Sequence, residues 1–167
     1  MIGVAIVTVS DKAFRNERED AGGPAIRSAL LANGIEFVEL DYRVVPDEEQ
    51  LIGEALYHLS ERPDVDLILT TGGTGLAPRD VTPQITLHSI DYEVPGIAEA
   101  MRAASMQVTP AGMLSRAVAG VRRGTLIINL PGNPKAVKEN LAAIAAALPH
   151  AIDTLRGQVG EHTRPTD

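Results

Sequence analysis

Cysteine and tryptophan are absent from the sequence, and the aromatic residues make up only 3% of its 167 positions. Without a thiol there is no disulfide framework, no thiolate nucleophile and no Cys-ligated metal. Nucleic-acid binding rests on a basic face and often on stacking aromatics, so this poverty of rings together with a formal net charge of −7 excludes that class. No apolar run approaches the ~20 residues needed to cross a bilayer, and no membrane partner is expected. The N-terminal apolar run has no basic region ahead of it and is followed at once by Asp11, which makes a poor signal peptide. A cytoplasmic protein is the expectation.

What is present is a globular composition, 44% hydrophobic and 22% charged. The length suits one domain with a proper core. Ile2 to Val9 is a continuous run rich in Val and Ile, as in a strand buried on both faces. Lys12 to Gly23 is polar, of mixed charge and without period, and reads as a long loop of the functional or mobile kind. Pro24 opens a helix carrying Ile26, Ala29 and Leu30, which Asn33-Gly34 stops. Ile35 to Val45 is a second strand. Leu51, Ile52, Ala55, Leu56 and Leu59 form the stripe of a second helix, and Asp66 to Thr71 is a third strand.

This βαβαβ alternation predicts an α/β protein with a parallel sheet and helices on both faces. Further helices are expected from Thr82-Pro83 and from Pro95-Gly96. Ala117 to Val121 and Thr125 to Leu130 flank a tight basic turn and predict a hairpin. A last helix over 136–148 is expected to kink at Pro149 and run on to Leu155. No repeat or linker appears, so the expectation is one domain over 1–157 and a polar, frayed tail at 158–167.

The stretch with most chemistry is LILTTGGTGLAPRDVTP, residues 67–83. A strand ends in Thr71 and breaks into Gly72, Gly73, Thr74 and Gly75, whose backbone N–H groups can form an anion nest. The loop lacks the GK[ST] ending of a P-loop and is not GxGxxG. Its bland reading is a tight strand-to-helix turn; beside two threonines, phosphate or pterin binding is favoured. Asp80, next to Arg79, suits Mg²⁺ or a phosphate acceptor, with turn stabilisation or a salt bridge to Arg79 as the local alternative. Thr82 with Pro83 behind it is the expected N-cap, which leaves Asp80 free.

Asp47 opens a capping box with Gln50 at N3, and it also lies at the carboxyl end of the second strand, where ligands collect. The two roles can coexist. Ser10-Asp11 occupies the same edge after the first strand, a weak signal by itself. In Pro131-Gly132-Asn133-Pro134-Lys135, Asn133 can cap and Pro134 can stand at N1. Lys135 there opposes the helix dipole, a placement that an anion would explain. Ser115-Arg116 offers a hydroxyl and a guanidinium for phosphate, with surface solvation equally open. The four histidines show no ligand spacing.

Taken together, the glycine stretch, VPDE upstream, and MLSRAVAGV and TLIINLPGNPK downstream resemble the molybdopterin adenylyltransferases, the MogA/MoaB group that includes the G domain of gephyrin. The resemblance runs from VSD at 9–11 to LPHAIDTLRG at 148–157. It implies a three-layer αβα sandwich with a mostly parallel sheet, a homotrimer, and a place in molybdenum cofactor biosynthesis. Such enzymes transfer AMP from Mg·ATP to the terminal phosphate of molybdopterin, release pyrophosphate and pass the product to a molybdenum-insertion partner. By this resemblance Asp47 and Asp80 match the aspartates tied to catalysis and Mg²⁺. Gly72, Gly73, Thr74 and Gly75 match the phosphate loop, while Ser115, Arg116, Pro131 and Gly132 match pocket-forming motifs. One departure is Gln84, where many relatives carry Glu. Two rival functions are a non-catalytic molybdopterin-binding or scaffold protein and a nucleotide-phosphate hydrolase using the same acidic edge.

Overall fold

A computed structural model describes residues 1–158. In chain order the elements are β1 (Ile2–Val9), α1 (Asp11–Phe14), α2 (Gly22–Ala32), β2 (Phe37–Val45), α3 (Glu49–Ser60), β3 (Leu67–Thr71), α4 (Thr82–Ser89) and β4 (Tyr92–Glu93). There follow α5 (Pro95–Val108), β5 (Ala119–Arg122), β6 (Thr125–Leu130), α6 (Pro134–Ile144) and α7 (Leu148–Leu155). Among the described residues six strands form one sheet in the order β2-β1-β3-β6-β5-β4. The first four run parallel, and β5 and β4 complete the sheet antiparallel.

The apolar runs explain the layering. Every residue of β1, β3 and β6 is buried, while β2, at the sheet edge, is only partly covered and correspondingly less apolar. Side chains alternate between two cores. Ile2, Val4 and Ile6 join residues of α2, α5, α6 and α7 on one face; Ala5, Val7 and Val9 join Ile52, Leu56 and Leu59 of α3 on the other. The result is the expected three-layer αβα sandwich.

Register carries four strand ends to one edge. Val9 pairs with Val45, Thr8 with Thr71, and Thr71 with Leu130. The chain leaves β1 to form β2 on one side and β3 on the other, so a crevice opens between the β1 and β3 ends, where α/β sheets bind ligands.

Two local expectations are revised, the loop at 12–23 and the last helix; the strand β4 is an addition, and the hairpin forms as expected. The stretch 12–23 holds α1 and the start of α2, two residues ahead of Pro24. The short edge strand β4 has no sequence signal beyond two residues. The hairpin turns on Arg123 and Gly124, both at positive φ (47° and 84°), the primed geometry that fits strand twist. The last helix breaks at Ala145–Ala147, a 3₁₀ turn, and Pro149 sits in the first turn of α7, where its missing N–H is harmless. Of the polar tail, all but Gln158 lies outside the described residues.

Candidate functional site

Gly72 and Gly73 take φ of 98° and 67°, a region that L side chains rarely adopt. Close packing adds to that demand: a Cβ on Gly72 would lie 2.2 Å from the Val9 carbonyl oxygen, and one on Gly73 would lie 2.3 Å from Thr82 Oγ1. The loop therefore folds back under the end of β1 and against the start of α4. It floors a cleft of about 600 Å³. Of the residues expected at the site, Ser10, Asp47, Thr71, Gly72, Gly73, Asp80, Gly132 and Asn133 line this cleft. Asp11, Thr74, Gly75, Arg79, Ser115, Arg116, Pro131 and Lys135 are not among its lining residues.

Asp47 is not the N-cap of α3; Glu48 holds that position without a side-chain bond, and Gln50 bonds Glu54. The Asp47 carboxylate instead accepts the Asp11 N–H at 2.9 Å, and the Asp47 N–H donates to Asp11 Oδ1 at 3.1 Å. A tertiary partner has displaced the local cap. Burial pushes the Asp47 carboxyl above the usual carboxylate range, and the negative charges of Asp11 and Asp80 add to that. The Arg79 guanidinium, donating to Asp11 at 2.6 and 2.9 Å, holds Asp11 below the usual range. Arg79 thus pairs with Asp11 and not with Asp80.

Thr82 is the first residue of α4, not its cap, and its buried hydroxyl donates to the Gly72 carbonyl at 3.0 Å. Asp80 does have local work: its Oδ2 accepts the Ala77 N–H at 3.1 Å, and its own N–H donates to the Ala77 carbonyl. That same Oδ2 would lie 2.8 Å from a Cβ on Gly75, so the carboxylate stands directly over the loop. Asp47 Oδ1 stands 3.2 Å from the corresponding position on Gly73. Two carboxylates bracket one glycine loop.

Arg116 braces the loop from behind. Its Nε donates to the Gly75 carbonyl at 2.8 Å, its Nη2 donates to the Asp80 carbonyl, and its N–H donates to the Thr74 carbonyl. Neither phosphate nor open solvent but the loop's own backbone occupies these two guanidinium nitrogens in this structure. Ser115 Oγ accepts the Ala117 N–H at 3.3 Å. Thr71 Oγ1 ties β3 to the Pro131 carbonyl at 2.7 Å. Asn133 caps α6 as its sequence predicts, and Lys135 points to Glu139 at 3.8 Å.

Sequence reasoning missed Asp20. It lines the cleft beside Arg18 and Glu19 and accepts the N–H groups of Gly22 and Gly23 at 2.9 and 3.1 Å. Its Oδ2 also accepts the Thr8 hydroxyl at 3.0 Å and the Tyr42 hydroxyl. Burial and that hydrogen bond push the Tyr42 phenol up to about 12. The available signal was a carboxylate just before Gly-Gly-Pro, an unrecognised helix start.

Fold and site together define an α/β protein with a glycine loop flanked by two carboxylates at the topological switch point of its sheet. The family described as "Probable molybdopterin binding domain" matches residues 5–150, and the chain belongs to that family. It is 39% identical over 156 residues to a protein named molybdopterin adenylyltransferase in Helicobacter pylori, covering 93% of this chain and 89% of that one. Identity is also 39% over 166 residues to the Escherichia coli protein of the same name, covering 92% and 85%. Among solved structures, the molybdopterin biosynthesis enzyme MoaB of Thermus thermophilus superposes with a TM-score of 0.88 at 51% identity, covering 94% of this chain and 98% of that one.

Proposed function

We propose that this protein is a molybdopterin adenylyltransferase acting in molybdenum cofactor biosynthesis. It takes ATP and molybdopterin, joins the terminal phosphate of molybdopterin to the α-phosphorus of ATP, and breaks the bond from that phosphorus to the pyrophosphate leaving group. The observation that carries this reading is the placing of Asp47 and Asp80 on either side of a glycine loop rich in backbone N–H groups. Joining two anions at phosphorus needs alignment and charge neutralisation more than a strong base. The loop supplies donors and room for close approach, and the two half-buried carboxylates favour a cation between protein and phosphates.

Mg²⁺ fits that donor set. Among the described residues no group of three or more His, Cys, Asp or Glu converges on a metal position. Mg²⁺ characteristically accepts one or two carboxylates and completes its shell with substrate phosphates and water. Asp47 and Asp80 would hold it; when bound, it neutralises charge on the phosphates. The proposal extends to a homotrimer, to a cytoplasmic location and to transfer of the product to a molybdenum-insertion partner. No described helix is long and apolar enough to cross a membrane.

The test is to incubate the purified protein with molybdopterin, ATP and Mg²⁺ and to measure pyrophosphate and adenylylated pterin. Stoichiometric formation of both is expected. Folded protein that binds the pterin without forming product would leave a non-catalytic binder, and pyrophosphate or AMP release without pterin would reveal a hydrolase. Sedimentation would check the trimer.

A further inference from the structure

Asp11 does not line the cleft, yet its bonds converge on the residue that does. Its N–H donates to Asp47 Oδ2 at 2.9 Å, and its Oδ1 accepts the Asp47 N–H at 3.1 Å, closing a ring between residues 36 positions apart. On the other side Arg79 donates through Nε to Asp11 Oδ2 at 2.6 Å and through Nη2 to Oδ1 at 2.9 Å. The Asp11 side chain is 19% exposed, against 59% for Arg79, so the carboxylate is the sheltered half of the pair. With Oδ2 held by the ring, the orientation of the Asp47 carboxylate is fixed, and Oδ1 is the oxygen that stands over Gly73. Ser10 anchors the ring's other end by capping α1 through the Ala13 N–H at 3.2 Å.

We propose that Asp11 is a positioning residue: its carboxylate accepts the Asp47 N–H and so aims Asp47 Oδ1 at the cation-bearing phosphates that the glycine loop receives. This rests on the adenylyltransferase reading for the identity of the ligand, Mg·ATP, but not for the ring itself. Arg79 has a supporting part. Its fork neutralises Asp11, so that two carboxylates can lie side by side without driving each other apart. Outer groups that orient a carboxylate ligand act on metal affinity without touching the metal.

The test uses the full chain with Asp11→Ala, Asp11→Asn and Asp11→Glu, and reads Mg·ATP binding by calorimetry as well as the Mg²⁺ concentration giving half-maximal transfer. Asp11→Ala is expected to raise the Mg·ATP dissociation constant and that Mg²⁺ concentration by about 10- to 100-fold while the melting temperature moves by only a few degrees. Asp11→Asn keeps an oxygen for the Asp47 N–H and is expected to recover most of the loss. Asp11→Glu keeps the charge for Arg79 but moves the oxygen away from that N–H; it is expected to resemble Ala, and it replaces Ala if that variant does not fold. Binding and Mg²⁺ dependence unchanged in Ala and Glu would overturn the inference, as would Asn as impaired as Ala, which would place the role in the ion pair. If the wild type binds Mg·ATP but makes no adenylylated pterin, the functional reading fails while the binding comparison still decides this one.

Discussion

Thr82, the first residue of α4, donates its fully buried hydroxyl to the carbonyl of Gly72 at 3.0 Å. That bond is the end of a buried polar rail. Asn129 of β6 donates to the Thr70 and Thr86 hydroxyls at 3.1 and 2.9 Å, and Thr86 in turn donates to the Thr82 carbonyl at 2.9 Å. The glycine loop is therefore locked to the sheet through threonines, not left as a free turn. Thr82→Val leaves the Gly72 carbonyl unpaired in a dry setting, a loss of about 1–3 kcal/mol. For a chain of this size each kcal/mol lowers the melting temperature by about 2–4 °C. Thr82→Ser, which keeps the hydroxyl, is expected to recover most of it. Equal denaturation midpoints for Val and wild type would remove the bond from the account.

Gly73 offers a sharper test, because backbone and contact effects can be separated. An alanine there would have to hold φ at 67° and place its Cβ 2.3 Å from Thr82 Oγ1. Gly34 has nearly the same φ, 70°, with nothing near a built Cβ. Gly34→Ala therefore costs only the left-handed backbone term, about 1–2 kcal/mol, and leaves transfer unchanged. Gly73→Ala is expected to cost more than that and to reduce transfer at least about tenfold, since the loop must shift relative to Asp47. Equal stability losses at the two positions would mean that the loop accommodates the Cβ without strain.

The sequence conveyed the framework well because the framework is written in local signals. Continuous apolar runs mark β1 and β3 as doubly buried, and alternation of strand and helix predicts the parallel sheet. The turn at Arg123-Gly124 announces the hairpin. The site was legible as a collection of residues and less so as a set of roles. Asp47 carries a strong local capping signal, and the partner that overrides it lies 36 residues away. Thr82 reads as a cap but is a buried tie. Arg116 reads as a phosphate-binding group or a solvated surface residue alike, and the carbonyls of Gly75 and Asp80 that its donors meet lie 41 and 36 residues away. Asp20 sits in a stretch with no period, so nothing in the pattern singled it out from its charged neighbours. Each of these depends on which chain segments meet at the sheet edge.

Asp80 combines a local bond with a position over the loop, and the two can be divided by substitution. Asp80→Asn keeps an oxygen to accept the Ala77 N–H, so the turn at 77–80 survives and stability changes by less than about 1 kcal/mol. The charge is lost. If that charge holds Mg²⁺ against the phosphates, transfer falls by at least about 100-fold with folding intact. Undiminished turnover in a well-folded Asn variant would remove Asp80 from the chemistry and leave it as a turn residue.

Asp47 makes opposite predictions for stability and for activity. Its carboxyl is raised above the ordinary range, first by burial and then by Asp11 and Asp80. A carboxyl with a raised value holds its proton more tightly in the folded state than in the unfolded one. Folding stability therefore declines as pH climbs from the ordinary value, about 3.9, through the raised folded value, and the cost stays constant above it. Asp47→Asn removes that cost while keeping an oxygen for the Asp11 N–H. In metal-free buffer the variant should be at least as stable as wild type at neutral pH, with the difference shrinking to nothing below the ordinary carboxylate value. Asp11 works the other way: its lowered value gives stability that is present above the ordinary range and is lost as pH falls through the folded value. On the acid side Asp11 acts together with Asp41 and Asp64, whose arginine partners also hold them below the usual range, while Asp47 tilts the curve the other way above it. If transfer needs Asp47 ionised, the acid limb that its titration gives the rate profile should be absent from the residual rate of Asp47→Asn. Denaturant titrations across pH decide the first point and rate profiles the second. An Asn variant less stable than wild type at neutral pH would show that ionised Asp47 stabilises the ring more than its burial costs.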